Sequence, residues 1–473
     1  MAKHLQVNRL FWECGLILSA LGIHLWYLTH TTFVDWPEMV LYPWFLSQGM
    51  VYYRDIVLAY VPGAYYLLHA LYSVIGYSAQ SEQVLAYGFI LLTDLLVYVT
   101  ARKLTRSMLP SLFALFFFIL WQPIFSGNTI WYETILAPIY LVAYLLVLVY
   151  GKKPTLKSVT PIGLVLAAAT LIKQTAAWPL LAVCLFIWLS GKNKKQGFVH
   201  AVAIGLIAVA FQLISWGYFV LQGAGREYLF WVFGFIGNLS QSASMSALAP
   251  PRSDITLILP AVIPLFLLIF LRPKKESWLL ILFTVSVFLA GLPRWGLHRL
   301  QPMLAFIAVG AGMAGSMFLM QKRHAVLGVA LLCLLAAGSW RSYRVFVTLR
   351  DPMQPTFFGK DYEHLLRFLN ANAPGPLYVL GNYDYVYFGR NEKPTVLPWV
   401  PLFPWNGKVP GIEARLITSI EESKVPYILV VPFHPKSGYY DGYAPEELFL
   451  YVRAKYEKIG PAPVEGGELL RRR

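Results

Sequence analysis

Apolar runs close to twenty residues long recur through the first 340 positions, and no other feature limits the possible folds so much. A helix needs roughly 20 apolar residues to cross the hydrocarbon core of a bilayer. A soluble domain has no use for so many such runs. Spans are expected at 10–29, 82–101, 108–126, 131–150, 159–172, 175–190, 198–221, 255–271, 277–292, 301–320 and 324–340. With 57% hydrophobic and only 13% charged residues, the composition agrees. The fold class expected is an all-α polytopic membrane protein with about 11 transmembrane helices over 1–340, followed by a small α/β domain over 341–473.

The N-terminal stretch, Met1 to Arg9 and then apolar from Leu10, looks like a signal peptide at first. It carries Glu13 and no small-residue cleavage site, so it is read as the first span. The segment 57–76 is long enough to cross but holds Pro62, Gly63, His69 and tyrosines at 60, 65, 66 and 72. Charge decides its placement. If it lies flat on the outer surface, the clusters Arg102/Lys103/Arg106, Lys152/Lys153/Lys157, Lys192/Lys194/Lys195, Arg272/Lys274/Lys275 and Lys322/Arg323 join Lys3 and Arg9 on one side. Sixteen basic residues then face inward, against six outside before residue 341: Arg54, Lys173, Arg226, Arg252, Arg294 and Arg299. If it crosses, all five clusters move outside and the positive-inside rule fails. An interfacial helix is therefore expected, its tyrosines suited to the headgroup region. The predicted location is the cytoplasmic membrane, with the N-terminus inside and the C-terminal domain outside.

A formal net charge of +15 could suggest nucleic-acid binding. Residues 341–473 hold 17 Lys and Arg against 14 Asp and Glu, so only +3 lies there. The remaining +12 sits in short loops between spans, which is a topology signal, and no nucleic-acid partner is expected. Cys14, Cys184 and Cys333 fall inside apolar runs, without metal or disulfide spacing. In the tail, Tyr362–Ala371 and Pro445–Tyr456 read as helices and Leu377–Leu380 and Tyr427–Val431 as strands. The loop 222–254, rich in Gly, Ser and Pro, is expected to be a mobile outer loop over a site.

Acidic residues are scarce outside the tail, which focuses the search for chemistry. Asp35 follows the first span in Asp35-Trp36-Pro37-Glu38. It is read as a general base on an acceptor hydroxyl, as the holder of a divalent metal against a phosphate or diphosphate leaving group, or as the cap of a helix opened by Pro37. Glu38 is a second acid of the same pair or a first-turn acid favoured by the helix dipole. Asp55, after Arg54, closes a turn or faces the site. Glu133 stands at the outer mouth of the fourth span, behind Trp131 and Tyr132. Asp94 lies mid-span and reads as an interhelical hydrogen-bonding residue.

The outer cations are exceptions to the charge rule. Arg294, His298 and Arg299 cluster in Pro293-Arg-Trp-Gly-Leu-His-Arg-Leu-Gln-Pro302, and guanidiniums at a membrane surface clamp phosphate or bind headgroups. Lys173, between two short spans, is a phosphate partner or an ion-pair partner, for instance of Glu133. No Walker loop, GxGxxG, HExxH or CxxC motif is present.

An acid after the first span, then Gln48-Gly49…Tyr53-Arg54-Asp55…Pro62…Tyr65-Tyr66-Leu67, resembles the GT-C fold membrane glycosyltransferases. The bacterial branch related to protein O-mannosyltransferases and the lipid A aminoarabinose transferase is the most similar. The resemblance implies a multi-span helical core, juxtamembrane helices in the first outer loop and a C-terminal extracytoplasmic domain. It implies transfer of a sugar, with inversion, from a polyprenyl-phosphate donor to a glycan, lipid or protein acceptor outside the membrane. Asp35 then matches the catalytic Asp, with Glu38, Asp55 and Glu133 at recurring acidic positions. Arg299, with His298, matches the stretch that contacts the donor phosphate.

Two departures stand out: Asp35-Trp36 replaces the adjacent acids of relatives, and Tyr60-Val61 precedes Pro62 where some carry Glu-Lys. A divalent metal therefore does not follow from the resemblance and stays open. The competing readings are a transporter or flippase of polyprenyl-linked sugars, which predicts inverted repeats not visible here, and an inactive relative acting as a membrane scaffold.

Overall fold

The computed structural model describes residues 2–151, 154–191, 193–235, 250–271, 275–292, 295–320, 325–348, 360–381, 383–431 and 444–473. In chain order its helices begin with α1 (Ala2–Thr29), α2 (Glu38–Ser47), α3 (Gly63–Ile75), α4 (Ala79–Thr105), α5 (Met108–Trp121) and α6 (Tyr132–Tyr150). Next come α7 (Leu156–Ile172), α8 (Ala177–Ser190), α9 (Lys194–Leu221), α10 (Gly225–Leu229), α11 (Arg252–Leu271) and α12 (Lys275–Gly291). The last are α13 (Gln301–Met320), α14 (Ala325–Thr348), α15 (Lys360–Asn372), α16 (Val386–Arg390), α17 (Ile412–Ser423) and α18 (Glu446–Lys455).

Each expected span coincides with one helix: α1, α4 to α9, and α11 to α14. Among the described residues, six helical stretches are long and apolar enough to cross a membrane by length and composition alone. The segment 57–76 yields only α3, 13 residues long and too short to cross.

Two compact units make up the chain. The first comprises Met1–Val34, Glu82–Gln212 and Ala249–Gln354. Its centre is α13, packed on α5, α6, α11 and α12. Apolar side chains gain nothing from leaving lipid, so helices in a membrane associate through close packing, which favours small residues. Gly312 shows this requirement: a Cβ there would stand 2.7 Å from the Pro110 carbonyl oxygen and 2.9 Å from Ala114 Cβ. Gly163 of α7 is equally tight, 2.6 Å from Ile207 Cδ1 of α9.

Polar pairs clamp α1 to α4. His24 Nδ1 lies 2.7 Å from Asp94, with both side chains fully buried. Arg102 Nε donates to Glu13 at 2.8 Å. The mid-span Asp94 is thus an interhelical bonding residue, as its sequence position suggests.

The second unit comprises Asp35–Ser81, Leu213–Leu248 and Pro355–Arg473. Its sheet runs in the order β1-β2-β4-β3, from β1 (Leu377–Leu380), β2 (Tyr427–Val430), β3 (Tyr456–Pro461) and β4 (Glu468–Arg472). Strands β1 and β2 are parallel, with Leu377 opposite Tyr427, and β4 joins both β2 and β3 antiparallel. The four residues of β1 are all buried, as expected of a strand covered on both faces. Leu365 and Leu369 of α15 and Leu416 and Ile420 of α17 are fully buried.

Aromatic rings join the tail of this unit to its first loop. Trp44 meets Phe388 edge-on at 5.6 Å, and Trp399 packs on Tyr42 and Phe45 at 5.5 and 5.2 Å. Backbone bonds add to this: Val57 donates to the Trp399 carbonyl at 2.9 Å, and Trp399 donates to that of Asp55 at 2.8 Å.

Candidate active site

In the second unit, the start of α2 fixes the acidic residues. Pro37 holds the N-cap position with φ −51°, a value its ring imposes and a helix start requires. Glu38 opens the helix, where the aligned peptide dipoles favour a negative charge. Asp35 lies two residues before the N-cap and is fully buried.

A third carboxyl, Asp384, shares this neighbourhood. It sits four residues after β1 and two before α16. It keeps some surface exposure yet lies deep among protein atoms. That burial, and then the charge of Glu38, raises its carboxyl well above the usual range. The Tyr42 phenol is raised by burial, then by Tyr65, Glu38 and Asp384, so it stays a neutral donor. Tyr385 is raised by burial, by Tyr383 and Tyr362, and by the nearby carboxyls Asp35 and Asp384. One chemistry available to this group is proton exchange: an ionised carboxylate can accept a proton beside a carboxyl that holds one.

Sequence reading missed Asp384. Its place after the C-terminal end of a parallel strand, where α/β sheets put ligand-facing residues, emerges only once β1 and β2 are seen to pair.

Asp55 closes a local turn. Its carboxylate accepts from Arg54 Nε at 2.9 Å, Arg54 Nη2 at 2.8 Å and the Val51 amide at 2.8 Å. Tyr53 beneath it adopts φ 68°, rare for a bulky residue. Phe219 and Tyr228 hold its ring edge-on at 4.8 and 5.1 Å, and its hydroxyl donates to the Tyr60 carbonyl at 2.6 Å.

In the first unit, Glu133 occupies the first turn of α6 and Lys173 the C-cap of α7. They form a buried ion pair, with Glu133 Oε2 left unbonded. Thr175 Oγ1, just beyond, donates to the Ala290 carbonyl at 2.7 Å and ties this break to α12.

Arg299 lies on the 3₁₀ turn Leu297–Leu300, which packs against α6, α12 and α13. Gln301 anchors the turn, donating to the Phe125 carbonyl at 2.9 Å. His298 stands perpendicular to Trp131 at 6.0 Å. Arg299 is only 8% exposed, and its Nε has no hydrogen-bond partner. Among the described residues no carboxylate pairs with it. Arg294 lies outside the described residues. Among those described, no three His, Cys, Asp or Glu side chains converge as a metal site.

No protein-family model and no curated protein matches this sequence. Solved structures do match. ArnT from Cupriavidus metallidurans bound to undecaprenyl phosphate is similar with a TM-score of 0.62 and 11% identity, over 97% of each chain. Its apo state gives 0.60, also at 11% identity, over 98% of each chain. The archaeal oligosaccharyltransferase AglB from Archaeoglobus fulgidus, in complex with an inhibitory peptide and a dolichol-phosphate, gives 0.56 at 12% identity. That match covers 96% of this chain and 74% of AglB. The chain has the GT-C fold, an α-helical membrane architecture with a small C-terminal sheet.

Proposed function

We propose that this protein is an inverting membrane glycosyltransferase that takes a sugar from a polyprenyl-phosphate carrier. The acceptor is a glycan, lipid or protein on the outer side of the cytoplasmic membrane. The observation that carries this reading is Arg299: a guanidinium 8% exposed, with an unbonded Nε and, among the described residues, no carboxylate partner. A buried cation without a counter-ion is costly unless an anion arrives to share the site. Structures of the same fold hold undecaprenyl phosphate and a dolichol-phosphate, and both present a phosphate at a membrane surface.

Asp35 is the proposed base. It takes the proton of an acceptor hydroxyl as the oxygen forms a bond to C1 of the sugar. The bond from C1 to the phosphate oxygen breaks, and its electron pair leaves with the polyprenyl phosphate. One displacement inverts C1. Arg299 neutralises the charge that develops on the leaving phosphate, and Arg294 and His298 belong to the same donor side. Lys173 shares its charge with Glu133, so that pair orders the donor side without adding net charge to it. Glu38 supports Asp35, and Asp55 holds the first outer loop in shape.

Release of free polyprenyl phosphate from a panel of polyprenyl-phosphate sugars tests the reading. Arg299→Gln is expected to raise the apparent donor constant by about tenfold to a hundredfold, the worth of one or two hydrogen bonds to a charged group. A variant in which only turnover fell would show that Arg299 does not hold the donor.

A further inference from the structure

The second unit carries a cleft of about 250 Å³ that the proposed chemistry does not use. Arg226 and Glu227 of α10, with Phe230 and Trp231 just after it, line one side, and Val409 and Arg415 line the other. Trp231 is buried and forms the wall, whereas Phe230 keeps 38% of its surface exposed. Both guanidiniums are exposed. Among the described residues neither Arg226, Arg415 nor Glu227 has an ion-pair or side-chain hydrogen-bond partner. Glu413, the nearest acid on α17, is engaged, accepting the Leu448 amide at 3.1 Å.

We infer that this cleft binds an acidic saccharide, one carboxylate- or phosphate-bearing sugar residue of the acceptor. Each group in it answers a part of such a ligand. Two unpaired guanidiniums outweigh one carboxylate and present planar donor forks that suit a carboxylate or phosphate. Phe230 offers a flat apolar face with a negative quadrupole, against which the C–H face of a pyranose rests. Glu227 accepts from sugar hydroxyls, a role it could not play toward a bare anion. The volume falls just below the roughly 300–1,000 Å³ of pockets that enclose a drug-sized ligand. It therefore suits one residue of a chain whose remainder stays in solvent. The role as an acceptor subsite rests on the transferase reading; the binding itself does not.

The test uses the full chain in nanodiscs of neutral lipid, titrated calorimetrically with a galacturonic acid trimer, glucose 6-phosphate, neutral galactotriose and inorganic phosphate. One or both acidic sugars are expected to bind at millimolar or lower concentration, at least about tenfold more tightly than galactotriose. Arg226→Gln/Arg415→Gln should weaken that binding by about tenfold or more, and Phe230→Ala by several-fold. These side chains are exposed, and an unchanged melting temperature confirms folding. Equal binding of acidic and neutral sugars, no binding of either acidic sugar, or an unaffected double variant would overturn the proposal. Inorganic phosphate binding as tightly as the sugars would reduce the cleft to a plain anion site. Loss of sugar binding in discs of anionic lipid would assign it to headgroups.

Donor hydrolysis without acceptor separates the two readings. The double variant should release polyprenyl phosphate at the wild-type rate. If wild type released none from any donor, with glycan, lipid and protein acceptors supplied as well as without, while the acidic sugar still bound, the transferase reading would fail and the site would stand.

Discussion

The two units handle buried charge in opposite ways. In the membrane-helix unit Asp94 is held by the His24 imidazole and Glu133 by the Lys173 ammonium. Arg299, 8% exposed, is a buried cation there with no carboxylate partner among the described residues. The other unit gathers carboxyls instead, with Asp35 buried in a neighbourhood that also contains Glu38 and Asp384. A cation with no counter-ion suits an anionic leaving group, and clustered carboxyls suit a proton acceptor. The contrast teaches that the company a buried charge keeps, more than the number of charges, marks the residues worth testing in this chain.

The largest expected effect strikes the acidic side. Asp35→Asn keeps the shape but cannot take a proton, so transfer should fall by about 10²- to 10⁴-fold, the usual span for a general base. The apparent donor constant should move little. Equal turnover in wild type and variant would remove Asp35 as the base and direct attention to Glu38.

Lys173 sharpens the comparison within the membrane unit. Lys173→Met leaves Glu133 buried without a partner and should cost about 3–5 kcal/mol of stability, whereas removing both charges should restore most of it. Arg299→Gln should cost no comparable stability, because among the described residues no buried acid pairs with Arg299. Thermal melts of the three variants decide the matter. If Arg299→Gln melted as early as Lys173→Met, Arg299 would be structural.

Much of this was legible in the sequence because the bilayer imposes a single length on every span, and charge then fixes which segments cross. The helices at 131–150 and 198–221 follow from apolar length alone, and the helix within 57–76 is only 13 residues long, in keeping with the interfacial placement that loop charge favours. The tail was half legible. Strands β1 and β2 are continuous apolar runs, but β3 reads Tyr-Glu-Lys-Ile-Gly-Pro, with Glu457, Lys458 and Ile459 exposed on an edge, and carries little signal. The catalytic candidate Asp35 was readable from its place after a span. Asp384 was not, because it reaches the same neighbourhood from about 350 positions away, through packing of Phe388 and Trp399 on α2 that no local pattern encodes.

The smallest expected effect tests whether Asp384 carries a proton. In the unfolded chain its carboxyl titrates at about 3.9. In the folded protein burial and Glu38 raise it well above that. Between the two values the folded state holds a proton that the unfolded state has lost, so stability falls as pH rises. This contribution is complete below the unfolded value and is lost progressively up to the folded one. Asp384→Asn cannot ionise, so its melting temperature relative to wild type should climb as pH rises above the unfolded value. Glu38→Gln removes the second cause of the shift and should reduce the slope of wild type without abolishing it, because burial remains. Parallel melting curves for wild type and Asp384→Asn across that range would mean that Asp384 is ionised throughout. The acidic unit would then hold three charges rather than two, and its contrast with the membrane unit would be sharper still.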